Sequence, residues 1–148
     1  MIDRRSAGDE SPRIDVTEDG RLHSRSVDLV LDGGAYASWS ETTVGKAAIL
    51  AAGPYRIPNV RVEGHAVYTN KTVTGAMRGF GAPQVAFAYE SQMDEIAHAL
   101  AMDPLELRML NGFEEGSASH TGQVLQAVAL KETLSMAAKR FGWQETAQ

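Results

Sequence analysis

The chain has 148 residues, 43% of them hydrophobic and 22% charged, which gives it the balance of one folded domain with a modest core. Its net charge of -5 argues against a partner built of phosphate backbone, since nucleic-acid binders present a basic face. It has no cysteine, so this chain supplies no disulfide, no iron–sulfur ligand and no thiol nucleophile. No apolar run reaches the roughly 18 residues of a membrane span, and "MIDRRSAGDESP" has no apolar core after its arginines, so a cytoplasmic location is expected.

Residues 1–12 are polar and turn-rich and read as a disordered N-terminal segment, with a domain expected over 13–143 and a short tail at 144–148. Ile14 and Val16 alternate with polar residues, and Val27, Leu29 and Leu31 alternate further on. Asp19-Gly20 between these runs predicts a hairpin, with strands over 13–18 and 21–32. "DGGAYAS" (32–38) then offers a sharp exit from the second strand. Val44, Ala47, Ala48 and Ala51 lie at helical spacing, so a helix is predicted over 40–52, ended by Gly53-Pro54. Val60, Val62, Gly64, Ala66 and Tyr68 alternate with Arg61, Glu63, His65 and Thr69, which predicts a half-buried strand over 59–69.

"TVTGAMRGFGAPQ" (72–84) follows. Its Gly75, Gly79 and Gly81 precede a helix whose apolar stripe is Val85, Tyr89, Met93, Ile96 and Leu100, with Pro83 at its first turn. Free amides at a helix start and the charge of Arg78 would favour an anion. The spacing is neither that of a P-loop nor the dinucleotide fingerprint, and a tight strand-to-helix turn is the plainer reading of it. Asp103 as N-cap, Pro104 and Glu106 open a short helix to Asn111, stopped by Gly112. A final helix is predicted over 126–141, with Leu130, Leu134, Ala137 and Phe141 on one face, Gly142 as its stop and Trp143 folding back. Together these elements predict an α+β domain: a small mixed or antiparallel sheet with helices packed on it and exposed sheet edges.

Other constellations carry little chemistry. Glu95-x-x-His98 is half of a di-iron carboxylate motif whose second half has no counterpart in this sequence, so no metal ligand is assigned; Asp94 and His98, at i and i+4, fit a solvated face. Ser117, Ser119 and His120 share a loop that lacks a nucleophile elbow and reads as a polar turn. Asn70-Lys71-Thr72 matches a glycosylation sequon by pattern alone.

The pieces say more in combination. "DGGAYAS", "GPYRIPNVRVEGHAVYTNKT", "GAMRGFGAPQ", "DPLELRMLN" and "TGQVL", in that order, resemble the molybdenum-cofactor subunit of the xanthine dehydrogenase and aldehyde oxidase family, over nearly all of residues 13–143. The resemblance implies a hydroxylase that places a water-derived oxygen on a heteroaromatic or aldehyde carbon. It implies molybdopterin, often in its cytosine dinucleotide form, with FAD and iron–sulfur clusters on other domains or subunits as partners. Arg78 matches the arginine beside the molybdenum, and Phe80 the phenylalanine that packs on the substrate ring. Gly79 and Gly81 would let the main chain approach the cofactor where a Cβ would clash, aiming backbone donors at it. Lys46 stands where purine-acting members carry an arginine, and its point charge in place of a planar fork speaks against a purine. Met77 replaces a common phenylalanine. The family's subunit is several-fold longer, and its catalytic glutamate and glutamine-containing glycine motif have no counterpart here. The expectation is therefore an internal segment, inactive alone, that lends a loop to a site completed by the remainder of the subunit. A stand-alone partner-binding or assembly module without redox chemistry is the alternative.

Overall fold

The computed structural model describes residues 13–143; the expected N-terminal segment 1–12 and the tail 144–148 lie outside the described residues. Strands β1 (Arg13–Val16) and β2 (Leu22–Asp32) form the predicted hairpin. They pair antiparallel from Arg13 opposite Ser26, with an irregularity between Asp15 and Val16 that ends β1 two residues early. At the turn, the Gly20 amide donates to the Thr17 carbonyl at 2.9 Å, and the Thr17 amide to that of Arg21 at 3.0 Å.

Helix α1 (Ser40–Leu50) crosses over to strand β3 (Asn59–Val67). That strand runs parallel to β2, in register from Ser24 opposite Asn59 to Asp32 opposite Val67. A crossover of this length is what a parallel pair requires. The sheet order is β1-β2-β3, a three-stranded mixed sheet, with helices α2 (Ala82–Ala99), α3 (Pro104–Asn111) and α4 (Leu130–Phe141) after it. The fold is thus the α+β class expected.

Two apolar clusters hold the layers together. Leu22, Tyr55, Met93, Ala97 and Leu107 form one, joining the hairpin to α2 and α3. Val27, Ala47, Ala51 and Val85 form the other, where β2, α1 and α2 meet. Tyr89 packs against both, so the stripe predicted on α2 is the seam of the domain. Arg25 is buried at this seam. Its Nη1 donates to the Ala52 carbonyl at 2.9 Å and its Nη2 to the Gln92 side chain at 2.8 Å. Burial lowers its pKa to about 10. Asn111 ties α3 back to the hairpin. Its Oδ1 accepts from the Leu22 amide at 2.9 Å, and its Nδ2 donates to the carbonyls of Gly20 (2.8 Å) and Leu107 (2.9 Å).

The C-terminal part departs from expectation. Helix α4 begins at Leu130, not at Gln126. Residues 124–125 instead fold back on 116–118: Val124 bridges Ala118, and the Leu125 amide donates to the Ser117 carbonyl at 2.9 Å. Ala127 takes a left-handed φ of 55°, which an α-helix excludes. The apolar run at 124–130 looked helical because a short apolar run does not distinguish its period. Helix α4 buries no residue fully, and Phe141 is exposed. Gly142 ends it in a left-handed cap, and Trp143 does fold back, its indole Nε1 donating to Asp103 at 2.8 Å. Asp103 caps α3 as predicted, accepting from the amides of Leu105 (2.7 Å) and Glu106 (3.0 Å). Asp94 holds the Arg108 guanidinium at 2.7 Å, while Glu90 takes the same guanidinium and the Tyr55 hydroxyl.

Candidate functional site

Two segments on one side of the sheet run beside each other: 32–47, from the end of β2 into α1, and 67–81, from the end of β3 to the start of α2. Main-chain bonds stitch them. The Gly33 amide donates to Val67 (2.8 Å), the Thr69 amide to Gly34 (2.9 Å), and the Ala35 amide to Lys71 (3.1 Å). Asp32 sits at the origin of both. Its carboxylate accepts from the Lys71 ammonium (2.7 Å), the Thr69 hydroxyl (2.6 Å) and the Gly34 amide (3.0 Å). Its carbonyl accepts from the Thr74 hydroxyl at 2.6 Å. The Lys71 ammonium first, then the hydroxyl and amide donors, hold the carboxyl at about 2, well below the usual carboxylate range. "DGG" and "TNKT" are therefore partners in space, about forty residues apart in sequence.

Further along, the 72–84 loop closes onto α1. Gly79, Phe80 and Gly81 all take positive φ, at 95°, 54° and 91°. A Cβ on Gly79 would lie 2.5 Å from the Pro83 ring, and one on Gly81 would lie 2.6 Å from the Thr43 carbonyl oxygen. These glycines are thus required by the chain's own packing, at the turn into α2 and against α1, whatever approaches from outside. Cofactor approach, expected from the sequence as their purpose, is joined by a requirement within the fold.

Phe80 is itself in a left-handed conformation that costs a non-glycine residue on the order of 1–3 kcal/mol. It belongs to neither core cluster. It is half-buried and meets Trp39 edge-on, with ring centroids 6.0 Å apart at 69°. Trp39 is 60% exposed, so the pair forms a surface. Arg78 is exposed on the same turn and has no hydrogen bond or ion pair with a described residue. Its own amide and that of Gly79 also donate to no described residue. Lys46 lies on the exposed side of α1, one residue before Ala47, which packs against Gly81. Tyr36, Tyr68, Val73 and Met77, on the same stitched segments, are large apolar side chains left exposed.

The structure therefore gathers Arg78, Gly79, Phe80 and Gly81 at one turn, with Lys46 on the helix that turn packs against. Sequence reasoning passed over two contributors, Trp39 and Asp32. Trp39 carried no signal beyond being aromatic near a glycine pair. Asp32 was visible only as the first letter of "DGG". In the 113–125 loop the serine hydroxyls hold turns instead of facing His120: Ser117 accepts from the Glu114 amide (2.8 Å), and Ser119 shares a hydrogen with Thr121 (2.9 Å).

Known proteins share this fold. Residues 5–112 match the family model of the molybdopterin cofactor-binding domain. The chain is 44% identical over 136 residues to the nicotinate dehydrogenase large molybdopterin subunit of Eubacterium barkeri, a match covering 88% of this chain and 32% of that protein. It is 37% identical over 134 residues to the xanthine dehydrogenase molybdenum-binding subunit of Escherichia coli O157:H7, covering 90% of this chain and 18% of that one. Its fold superposes on the aldehyde oxidoreductase from Desulfovibrio gigas with a TM-score of 0.82 at 34% identity, covering 87% of this chain and 14% of that chain. The chain thus spans a third or less of the length of these relatives.

Proposed function

The chain belongs to the molybdopterin cofactor-binding domain family, that of the xanthine dehydrogenase and aldehyde oxidoreductase type of molybdenum oxidoreductase, and on that premise we propose that its 72–84 loop forms one wall of a molybdenum hydroxylase site. The observation that carries the reading is Phe80 at a left-handed φ of 54°, half-buried and outside both core clusters, beside an exposed Arg78 that has no partner among the described residues. A non-glycine residue held strained at the surface beside an exposed cation is the pattern of a ligand-facing turn.

The donor set suits the cofactor. The guanidinium of Arg78 and the amides of Arg78 and Gly79, which donate to no described residue, offer several N–H groups to an oxygen-rich, anionic group such as a molybdenum–pterin. When bound, that group supplies a two-electron oxidation, so a heteroaromatic or aldehyde C–H and a water yield a C–OH, two protons and two electrons. This chain's residues do the positioning. Arg78 holds the cofactor-side oxygen atoms in place and offers preorganised charge where negative charge develops. Phe80, backed edge-on by Trp39, presents its ring to a flat substrate. Lys46 supplies a point charge for a substrate carboxylate or carbonyl, a weaker match to a purine than a planar guanidinium.

Iron–sulfur clusters and FAD on other domains or subunits would take up the electrons. With no cysteine in the chain, the clusters belong to other polypeptide. In this reading the rest of the molybdenum subunit covers the exposed Tyr36, Tyr68, Val73 and Met77, the cofactor is in its cytosine dinucleotide form, and the assembly is cytoplasmic; no described helix is long and apolar enough to cross a membrane. The same apolar surface would equally serve a stand-alone assembly module, and one experiment separates the two readings. An affinity tag on this chain is used to recover its native assembly, which is supplied with a heteroaromatic acid or an aldehyde in ¹⁸O-labelled water. The proposal expects molybdenum, pterin and labelled product. A recovered assembly without molybdenum, or product oxygen drawn from O₂, contradicts it and favours the assembly module.

A further inference from the structure

The stitched segments carry a charged node at Asp32 and Lys71, at the strand ends and before the turn that carries Arg78 and Phe80. Asp32 ends β2, and the parallel register puts it beside Val67, the last residue of β3. From there the chain must travel through an exposed stretch, 68–79, before Gly81 locks it onto α1. Nothing in either core cluster comes from that stretch. Its anchors are the main-chain bonds to 33–35 and the ligands of Asp32: Thr69 and Lys71 on the carboxylate, Thr74 on the carbonyl. Lys71 is the charged side chain that bears on Asp32.

We infer that Asp32 is a positioning residue for the site loop: by gathering Thr69, Lys71 and the Gly34 amide on one carboxylate, it sets where the 68–79 stretch lies and hence where Arg78 and Phe80 stand. The site role of that loop rests on the reading given above; the clasp itself does not. Three points favour positioning over general stability. The clasp lies outside both core clusters. Its partners come from two segments that are otherwise held together by loop main-chain bonds and, at the loop's far end, by the Gly81 packing on α1 and the Trp39–Phe80 contact. Among the described residues Arg78 has no side-chain anchor, so the backbone on either side sets its place.

The test needs no loaded enzyme. In the full chain carrying Trp143→Phe, Trp39 is the remaining tryptophan and reports on its contact with Phe80. Asp32→Asn and Lys71→Met should each speed amide hydrogen exchange across 69–78 by about fivefold. They should also make Trp39 more accessible to a quencher, while exchange in α2 and α3 stays as in the parent. Lys71→Arg, which keeps the charge, should restore the parent behaviour. Unchanged exchange over 69–78 in both variants overturns the inference. So does acceleration spread evenly over the whole chain, which would make the clasp a source of general stability only. In the recovered assembly, Asp32→Asn should lower kcat at unchanged molybdenum content. If exchange changes while activity stays at the parent level, the clasp stands and the site reading of the loop fails.

Discussion

Arg78 and Phe80 differ in what holds them, and their substitutions should differ accordingly. Arg78 has no anchor among the described residues, so Arg78→Ala should leave folding untouched and lower turnover of the assembly by about 10²–10³, the usual cost of losing a preorganised donor. Phe80→Ala removes an edge contact with Trp39 and a ring face for the substrate, and should raise KM about tenfold with a smaller effect on kcat. Steady-state kinetics on both variants checks the split. Gly81→Ala makes the opposite kind of change. With φ at 91° and the new Cβ 2.6 Å from the Thr43 carbonyl, it should cost about 1–3 kcal/mol or more, read as a lowered urea midpoint. Asp32 adds a pH dependence of definite sign. Its carboxyl is held at about 2 in the fold, below its free value near 3.9. The clasp is thus fully formed above about pH 4 and is lost as pH falls through about 2. Quenching of Trp39 in the Trp143→Phe chain should stay flat from about pH 8 to 5 and rise below about 4. In Asp32→Asn that acid-side rise should be absent.

Among the elements, α2 is the seam and α4 is an appendage, and this contrast is measurable. Met93→Ala removes a side chain buried in the hairpin–α2–α3 cluster and should cost about 2–5 kcal/mol. Leu134→Ala, on a helix with no fully buried residue, should cost under about 1 kcal/mol by the same urea titration. The α2 stripe was legible in the sequence because a long helix repeats its apolar period many times, and the α3 cap because Asp-Pro-x-Glu is local chemistry. The hairpin was legible from Asp19-Gly20. The start of α4 was not, because residues 124–129 bond to 116–118 and to Glu115, a return that no periodicity encodes. The clasp at Asp32 escaped notice for a related reason. Its ligands sit about forty residues away, and only the parallel register of β2 and β3 brings them together. Taken locally, Asn70-Lys71-Thr72 is a chance sequon; taken in space, its Lys71 ties to Asp32 at the end of β2.

At the scale of the whole molecule, the domain is half of a surface. One side of the sheet is closed by α1 and α2; on the other, Val30 is exposed beside the Arg61 network with Asp28 and Glu63. The apolar side chains around the 33–40 and 67–77 segments are likewise open. That exposure, together with a match to a third or less of each relative's length, is why the cofactor, the electron acceptors and the substrate are assigned to an assembly and not to this chain alone. The glycine turn was legible from residues alone as a tight entry into a helix, and the cofactor proposed for it came only through the family. The central proposal is that Arg78 and Phe80 face a molybdenum–pterin held largely by other polypeptide. The most direct measurement is the Mo(V) electron paramagnetic resonance spectrum of the assembly recovered through this chain, for the parent and for Arg78→Ala. Equal molybdenum content and a shifted signal in the variant are the predicted result; identical spectra, or an assembly without molybdenum, would contradict it.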